Sequence, residues 1–572
     1  MNKKKVILSI LVLAILAFSA AATMVHATYS SYSAMPWASN SLVNPGTLTV
    51  VGSSTVAPIA EAEEAGTGTA NPSADNFVSY WNTLVAANPS WGTASALDLT
   101  AVNIQGLGSG TAIPALDNSG GTADVGEMSR PPQDSEWQVP CLNNLQIWAV
   151  GVDSVAIVVS PDMTWFPTSL TTLQVAEIFA DNNPTSQTDQ GLTGVTGSTP
   201  LYATWDAFLN ANGFSSNAAA AGTAGNQPIQ LAVRDPTSGT FDCFNNYFAV
   251  PNGYQFENKA VTSTSNGQKT VVGTQEMAPF TYCEANGDII STVENGVYGN
   301  AGTTGGGDYI GFCSLGYALS NPHTGTAAGD GVIPLNIAFN MASPPATQTP
   351  DTNGKYSGGS STPTVGSPLI TYYGQQGTFG QQTNPLDTGA NGAAYQVYSW
   401  GAYVQPTDAN VIWAYSGVQG KTATGQYEAW RWLWEVTPGP IPSTGPCLAA
   451  GVWISYMMED DTTQGGTSMF VQDQSYIALS RADMAGGPVI DSNLATYGAA
   501  QGLTSTQTQT IPDGKVNGND FFYFVSAYIN YYANGIYNPY ADIYAKGTIN
   551  GNSFLGFVAA YVYYYTTYNP TS

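Results

Sequence analysis

The sequence predicts an α/β protein with a small helical unit at its C-terminus. Between residues 48 and 248, short apolar strands alternate with helical patterns, and turns of Gly, Ser and Thr follow several of the strands. This alternation is typical of α/β layers built mostly on parallel strands. A second observation is an internal repeat, in which 513–532 and 546–565 share a turn followed by an aromatic-rich helical pattern. The repeat predicts a pair of helices in a different unit.

The predicted elements follow one another in a regular order. Strands are expected at 48–51, 99–104, 147–159 (as a buried strand pair) and 231–234, and helices at 57–65, 76–87, 173–180 and 241–248. Thr171 and Thr172 can cap the third helix. A stretch at 341–394, rich in Gly, Pro, Ser, Thr and Gln, breaks the pattern. Beyond it we expect a Trp-rich helix or strand at 426–435 and an amphipathic helix at 449–458.

The charge balance excludes several kinds of partner and site. Of 572 residues, 39 are acidic, 13 are basic, and only 9% are charged, where about 25% is usual. Scattered basic residues cannot track phosphates, so nucleic-acid binding is not expected. His26 and His323 are the only histidines, too few for a His-rich metal site. The five cysteines are compatible with disulfides, but their pairing stays open because the count is odd.

The low charge has two explanations that we weigh equally. In acid, carboxylates take up protons and lose their salt bridges, so a surface of hydroxyl and amide groups suits an acidophile. A crowded cell surface that uses uncharged polar residues would have the same composition.

The N-terminus predicts export. Lysines at 3–5 precede an apolar run at 6–22, and Val25 and Ala27 then offer small residues at positions −3 and −1 of a cleavage site. This order is typical of a signal peptide at 1–27, cleaved after Ala27. The alternative is a retained membrane anchor, because the apolar run is at the lower limit for spanning a bilayer. The protein is expected to be secreted, in a periplasm-like space or at the cell surface.

Three turns carry the candidate chemistry. Each follows an apolar strand and precedes a helix, and they lie at 52–55, 108–111 and 237–240. Such turns direct backbone N–H groups and hydroxyls at a helix N-terminus, where the dipole adds roughly half a positive charge. Arg234 stands just before the third turn and can contact an oxyanion through two N–H groups. Together they predict an oxyanion site.

Seven motifs, in order, resemble those of the phosphate-binding proteins that serve phosphate ABC transporters. They are VGSSTVAPIAEA (51–62), GLGSGTAIPAL (106–116), ADVGEMSRPPQDSEW (123–137), VGVDSVAIVVSP (150–161), LTTLQVAEIFA (170–180), LAVRDPTSGTFDCFNNYF (231–248) and DYIGFCSLGYA (308–318). QSYIALSRADM (474–484) resembles the closing segment of that family. The resemblance implies the type II periplasmic binding-protein fold, with two α/β lobes and the ligand in the cleft between them.

The resemblance also implies a division of the chain. A polar lead at 28–46 precedes lobe I, whose first part is 47–150, and lobe II is 151–320. Residues 321–500 return to lobe I and contain the insertion at 341–394. A linker and the C-terminal unit occupy 501–572.

By the same resemblance, the anion is bound by residues of the three turns and of the 123–137 motif. They are Ser54, Thr55, Val56, Ser109, Gly110, Ser129, Arg234, Ser238, Gly239 and Thr240. Thr55 and Val56 would offer hydroxyl and backbone donors. Ser129 stands where well-studied relatives have an aspartate that accepts the proton of hydrogen phosphate, so discrimination against sulfate stays open.

Charged residues beside these motifs are given mainly structural roles. Arg130 pairs with Glu127 or Glu136, or adds a second cation to the site. Asp124 is expected in a turn or cap, and Asp235 is expected to hold the guanidinium that precedes the third turn.

The C-terminal repeat resembles a dockerin module, which has two EF-hand-like loops with helices. Its weak candidate metal ligands are Asp513, Asp520 and Asp542, and most oxygen ligands of the calcium-loop pattern are absent. Calcium is therefore doubtful, and no other cofactor is expected. Aromatic residues at helical spacing would form the small core of the unit. Those in excess of that core could dock a partner on the cell surface.

Two functions from different classes remain open. The first is a receptor that captures phosphate or a related oxyanion and delivers it to the permease of an ABC importer. The second is a surface structural or adhesion protein that keeps the fold without tight anion binding. An enzyme is not expected, because no base–nucleophile pair or metal cluster stands out.

Overall fold

The structure is a computed structural model that describes most of the predicted α/β region and the C-terminal unit. The described residues are 46–65, 76–116, 122–130, 145–180, 200–235, 238–249, 256, 261–263, 269–271, 280–295, 308–324, 331–339, 403–416, 427–458, 471–473, 476–484, 516 and 518–567. The expected signal peptide, the insertion at 341–394, Cys141 and Asp513 lie outside them. Within these ranges, no helix combines the length and apolar character that crossing a bilayer needs.

Strands and helices alternate along the described chain. The strands are β1 (Thr47–Gly52), β2 (Ala101–Gln105), β3 (Val125–Met128), β4 (Gln146–Val159), β5 (Ser169–Thr171), β6 (Gln230–Arg234), β7 (Val261–Ser263), β8 (Lys269–Val271), β9 (Thr281–Cys283), β10 (Tyr309–Ser314), β11 (Ile333–Pro334), β12 (Asn336–Ala338), β13 (Trp430–Thr437), β14 (Ile441–Pro442), β15 (Val471–Asp473), β16 (Tyr476–Ala478) and β17 (Ile536–Tyr537). The helices are α1 (Ala57–Glu64), α2 (Phe77–Ala87), α3 (Ala94–Leu97), α4 (Ala112–Leu116), α5 (Thr172–Phe179), α6 (Trp205–Ala211), α7 (Ser215–Ala221), α8 (Gly239–Phe244), α9 (Asn286–Asn295), α10 (Leu315–Ser320), α11 (Asp408–Ser416), α12 (Leu448–Tyr456), α13 (Gly518–Asn534) and α14 (Gly551–Thr567).

Side-chain caps define where the predicted helices begin. Asn76 accepts a hydrogen bond from the Ser79 N–H at 2.9 Å and caps α2. Thr171 and Gln174 form a reciprocal capping box at the start of α5, which confirms the predicted cap. The helix predicted at 241–248 is α8, continued by a π-helical turn.

The largest sheet is mixed, whereas a mostly parallel sheet was expected. Its strand order is β2-β1-β3-β13-β4-β10-β6-β9. The pairs β1–β2, β1–β3, β6–β10 and β6–β9 are parallel. The pairs β3–β13, β13–β4 and β4–β10 are antiparallel. Outside this order, β11 and β16 pair with β4, and β15 pairs with β16, also in antiparallel direction. The expectation was wrong for two reasons. β13, from far along the chain, enters between β3 and β4 antiparallel to both, and β4 is also antiparallel to β10, β11 and β16.

β4 is one continuous strand of 14 residues rather than the predicted strand pair. Its first part pairs with β13, up to Trp430 opposite Ser154, and its second part pairs with β10, starting from Ser314 opposite Val155. Every residue from 147 to 159 is buried. A strand covered on both faces carries a continuous apolar run, which explains why the pattern resembled two buried strands.

The helix α12 is buried on all sides, so the expectation of an amphipathic helix at 449–458 was wrong. The Trp453 ring contacts Phe77 of α2, with centroids 5.0 Å apart. On another side, Ser455 Oγ donates to the Pro539 carbonyl oxygen at 2.7 Å. A helix with neighbours on several sides needs no polar face.

The C-terminal repeat forms α13 and α14, which pack through their aromatic residues. The rings of Phe524 and Phe557 stack with centroids 5.5 Å apart. The chain between the helices packs into the main body, where β17 pairs with β14. The Ala149 N–H of β4 donates to Tyr540 Oη at 2.6 Å. The helical pair is therefore anchored to the central strand of the sheet.

Arg481 joins the C-terminal unit to α12. Its guanidinium donates to the carbonyl oxygens of Ser455 at 2.5 Å and Met458 at 2.9 Å, at the end of α12. It also donates to the Ile543 carbonyl oxygen at 2.9 Å. One buried cation thus satisfies carbonyl groups that a helix end leaves open.

Four of the five cysteines are buried free thiols, namely Cys243, Cys283, Cys313 and Cys447. Burial raises the pKa of both Cys283 and Cys447 to about 12. Such thiols are inert and act as small apolar residues of the core.

Three glutamates are buried in the region of the central sheet. Glu127 of β3 lies opposite Glu435 of β13, and no carboxyl oxygen of either has a hydrogen-bond partner among the described residues. Burial, followed by a neighbouring carboxyl group, raises the pKa of both well above the ordinary value. Burial also raises the pKa of Glu428 from 4.5 to about 8. All three are therefore uncharged in the folded protein at mildly acidic pH.

We expect Glu428 to make the folded protein more stable in acid. Above pH 4.5 the unfolded chain loses a proton that the folded protein keeps until its pKa of about 8. The free energy of unfolding should therefore fall with rising pH across this window, by about 1.4 kcal/mol per pH unit for one group. Urea unfolding of the wild type and of Glu428→Gln across that window measures the slope, which the substitution should reduce.

The matched control is Asp98→Asn, which changes an exposed carboxylate. Its slope should equal that of the wild type. An unchanged slope in Glu428→Gln would contradict the assignment of a buried neutral acid.

Candidate oxyanion site

Parallel pairing brings the first two turns together. β1 and β2 are neighbours, with Val51 opposite Gln105, so their carboxyl ends lie at one edge of the sheet. The Gly108 N–H of the second turn donates to the Gly52 carbonyl oxygen of the first at 2.6 Å. A Cβ atom at Gly52 would lie 2.0 Å from the Glu127 carbonyl oxygen, so the close approach of β3 requires glycine here.

The third turn reaches the first two from the far part of the sheet. Arg234 ends β6, and its Nη2 donates to Ser54 Oγ of the first turn at 3.2 Å. Gly239 approaches Ser129 so closely that a Cβ atom would lie 2.2 Å from the Ser129 carbonyl oxygen. The structure therefore brings together residues of all three turns and the segment after β3.

The backbone N–H groups of the first turn are used within the turn. Thr55 N–H donates to Ser53 Oγ at 3.1 Å, and Val56 N–H donates to the Ser53 carbonyl oxygen at 3.1 Å. They are therefore not the free donors that the resemblance implied, because the turn closes directly onto α1. The Thr55 hydroxyl, in contrast, contacts side chains from outside the turn. Its Oγ1 accepts hydrogen bonds from Asn286 Nδ2 at 3.1 Å and from Arg431 Nη2 at 3.3 Å.

Ser109 and Ser129 form a buried pair between the second turn and the end of β3. The Ser129 N–H donates to Ser109 Oγ at 3.0 Å, and the two hydroxyl oxygens are 3.1 Å apart. Gly110 follows in a half-buried 3-10 turn. Only one hydroxyl can donate to the other, so the second hydroxyl hydrogen is left for a further acceptor.

Two polar atoms, one in the third turn and one at the end of β6 just before it, have no hydrogen-bond partner among the described residues. These are Arg234 Nε and Thr240 Oγ1, and both are buried. Arg234 Nη1 donates to the Glu284 carbonyl oxygen at 2.5 Å. Ser238 caps α8 by accepting the Phe241 N–H at 3.2 Å. An oxyanion between these groups would supply the acceptors that they lack.

Arg431 is the site residue that the sequence analysis missed. It lies on β13 opposite Asp153 of β4, and its Nη2 and Nε are 2.6 and 3.0 Å from Asp153 Oδ2. Both side chains are buried. The available signal was one arginine within the aromatic run 430–434, since a charge inside a buried strand must be paired. The pattern of this segment fits a helix or a strand, so it does not show which residue lies opposite Arg431.

The charges around Arg234 are mixed in sign. Burial lowers the pKa of its guanidinium, the nearby Asp235 carboxylate raises it, and the second guanidinium, Arg431, lowers it. Asp235 accepts a hydrogen bond from Tyr282 Oη at 2.7 Å. Arginine stays protonated in such surroundings. Two neighbouring buried cations favour an anionic ligand.

The remaining charged residues have structural roles. Arg130 pairs with Asp242 of α8, with Nε 3.7 Å from Oδ2. Its expected partner Glu127 lies on β3 opposite Glu435, and neither of its carboxyl oxygens has a hydrogen-bond partner among the described residues. Glu136 lies outside the described residues. Asp124 accepts a backbone N–H of β1 at 2.8 Å, which confirms its structural role.

Two of the three candidate metal ligands of the C-terminal unit, Asp520 and Asp542, accept hydrogen bonds from protein groups, and Asp513 lies outside the described residues. Asp520 Oδ1 accepts the Met484 N–H at 2.7 Å. Asp542 Oδ2 accepts from Tyr537 Oη at 2.7 Å and from the Gly547 N–H at 2.5 Å. Within the described ranges, no three histidine, cysteine or acidic side chains are grouped as metal ligands.

A family model described as "PBP superfamily domain" matches residues 39–357. The chain therefore belongs to the PBP superfamily. Its mixed α/β architecture with a curled sheet is consistent with the type II periplasmic binding-protein fold, as the resemblance implied. The match contains all three turns but ends before Arg431 and the C-terminal unit. No curated protein matches the chain.

The chain is also similar, distantly, to solved structures of phosphate-binding proteins. A possible phosphate binding protein from Planctomyces limnophilus is 14% identical over 80% of this chain and 98% of its own, with a TM-score of 0.31. A phosphate binding protein from Stenotrophomonas maltophilia is 13% identical over 79% and 97%, with a TM-score of 0.31. An ABC-type phosphate transport receptor from Vibrio cholerae is 19% identical over 51% and 76%, with a TM-score of 0.24.

We expect the Arg431–Asp153 pair to be strongly coupled in stability. Removing one partner leaves the other charge buried and unpaired, which costs about 3–5 kcal/mol. Asp153→Asn and Arg431→Met should each lower the free energy of unfolding by about that amount, and the double variant should lose much less than the sum. Urea unfolding of all four proteins measures this coupling. Additive losses would contradict a direct pair.

Proposed function

We propose that this PBP-superfamily protein captures phosphate or a related tetrahedral oxyanion outside the cell and delivers it to the permease of an ABC importer. One observation carries the proposal. Arg234 of β6 contacts the first turn, while its Nε and the buried Thr240 Oγ1 have no partner among the described residues. Buried polar groups are normally satisfied, so these two atoms point to a ligand rich in acceptors.

The residues around Arg234 would have two roles, namely to donate hydrogen bonds to the anion or to position the groups that donate. The guanidinium, the Thr240 hydroxyl, the Thr55 hydroxyl and one hydroxyl of the Ser109–Ser129 pair would donate to the anion. Ser54 holds the guanidinium, Ser238 caps α8, and Gly239 allows the third turn to approach Ser129. The anion would then bridge segments that are distant in sequence.

The lobe boundaries at 47–150, 151–320 and 321–500 stay part of this proposal. The anion would hold the two lobes together, and the permease would recognise the joined state. Export would depend on the signal peptide at 1–27. The role is binding rather than catalysis, as in the non-enzyme class to which the family belongs.

Isothermal calorimetry with phosphate tests the proposal on the 28–572 chain. Arg234→Lys keeps the charge but loses the planar fork, so we expect the Kd to rise about 10- to 100-fold. Thr240→Val removes the hydroxyl while the side-chain volume stays nearly the same, so the Kd for phosphate should rise about tenfold.

Thr111→Val is the matched control for Thr240→Val. Thr111 ends the second turn as Thr240 ends the third, but its hydroxyl already donates to the Gly108 carbonyl oxygen at 2.7 Å. Its Kd should equal that of the wild type. If the wild type gives binding heat with neither phosphate nor sulfate, the proposed receptor function is wrong.

A surface-docking function is the second candidate, favoured by the exposed face of the C-terminal helices. Phe522 of α13 and Leu555 of α14 are 64% and 63% exposed, although both are large and apolar. A protein that keeps the fold without tight anion binding could attach to a cell-surface partner through this face. Loss of attachment in Phe522→Ser, with no anion binding by the wild type, would favour this function.

A further inference from the structure

Five buried residues, including Thr55 of the first turn, form a closed ring of hydrogen bonds. Asp153 accepts from Arg431 Nη2 at 2.6 Å and from Ser314 Oγ at 2.8 Å. The Ser314 N–H donates to Asn286 Oδ1 at 3.1 Å. Asn286 Nδ2 and Arg431 Nη2 both donate to Thr55 Oγ1, at 3.1 and 3.3 Å. All five side chains are at most 2% exposed.

The ring determines the polarity of the Thr55 hydroxyl. A threonine hydroxyl can accept two hydrogen bonds and donate one. Arg431 can only donate, and Asn286 must present its NH2 group to Thr55, because its oxygen accepts the Ser314 N–H. Both acceptor positions of Thr55 Oγ1 are therefore filled. Thr55 can therefore make one more hydrogen bond, as the donor, and no described residue accepts it.

Three carboxyl groups around this hydroxyl and Arg234 have donors of their own. Asp153 accepts from Arg431 and Ser314, as described. Asp235 accepts from Tyr282 Oη at 2.7 Å, and Asp288 accepts from the Ala285 N–H at 2.9 Å. The site is thus dominated by donors, since guanidinium groups cannot accept. A ligand oxygen that faces Thr55 has to be an acceptor.

We propose that Arg431 and Asn286 are positioning residues that hold Thr55 as an obligate donor, so that the site accepts tetrahedral oxyanions that carry no proton. The inference rests on the proposed oxyanion-binding function and defines its ligand class. A fully ionised anion such as sulfate satisfies every donor. Hydrogen phosphate does so only when its P–O–H group is turned away from Thr55. Sulfate should therefore bind with a Kd within about tenfold of that of phosphate.

Asn286→Asp reverses the Thr55 hydrogen bond with little change in shape. The carboxylate can still accept the Ser314 N–H, and its second oxygen replaces the donor that faced Thr55. The Thr55 hydrogen then turns toward residue 286 and presents a lone pair to the ligand. The new charge weakens the binding of both anions. The reversed bond penalises sulfate specifically, because sulfate has no hydrogen to donate.

The experiment is a calorimetric comparison of sulfate and phosphate at one neutral pH. The experiment compares the wild type with the variants Asn286→Asp, Thr55→Val and Asn82→Asp. In Asn286→Asp, the ratio of the sulfate Kd to the phosphate Kd should rise at least about tenfold. Thr55→Val removes the donor without supplying an acceptor, so both Kd values should rise with a smaller change in their ratio. Asn82 bridges the Leu99 backbone away from the site, so Asn82→Asp controls for effects of the substitution on folding.

The outcomes separate this inference from the proposed function. Phosphate binding by the wild type without sulfate binding would overturn the inference and leave the receptor function standing. An unchanged ratio in Asn286→Asp would also overturn it, because the ring would then be structural only. Binding of neither anion by the wild type would overturn both.

Discussion

The ion pair between Arg431 and Asp153 specifies how the sheet is assembled. Two buried charges tolerate no other arrangement, because either one alone would lie in the core without a counter-ion. The two residues are direct cross-strand neighbours of β13 and β4. A slip of one residue would turn Arg431 to the other face of the sheet. The contact therefore favours the observed register of this aromatic strand over a slip by one residue. The same contact brings a second guanidinium to the candidate site.

The interior and the composition of the chain are both suited to acid. Glu127, Glu435 and Glu428 are buried where their neutral forms are favoured. A chain with only 9% charged residues also has few surface ion pairs to lose when carboxylates take up protons. At neutral pH the same carboxyl groups ionise in the unfolded chain but stay protonated in the fold, which lowers the free energy of unfolding. Whether the low charge reflects an acidic habitat or a crowded cell surface stays a prediction.

The C-terminal unit is part of the scaffold behind the central strand. Tyr540 bonds the backbone of β4, and Arg481 links the end of α12 to the chain between α13 and α14. The carboxylate of Asp542 stabilises its loop by accepting two hydrogen bonds from protein groups. Such a loop keeps its turn through protein contacts. The part of the chain beyond the superfamily match therefore completes the sheet and supplies Arg431.

Local patterns in the sequence were sufficient to predict α1, α2, α5 and the three turns, because caps, periodicity and Gly-Ser-Thr turns act over a few residues. They also singled out Arg234, which stands beside one of those turns. Tertiary structure alone decided the direction of β13, the continuity of β4 and the burial of α12, since each depends on what packs against it. It also decided the ring through Arg431, Asp153 and Asn286. Those residues are far apart in the chain, and no local pattern shows which of them meet at Thr55.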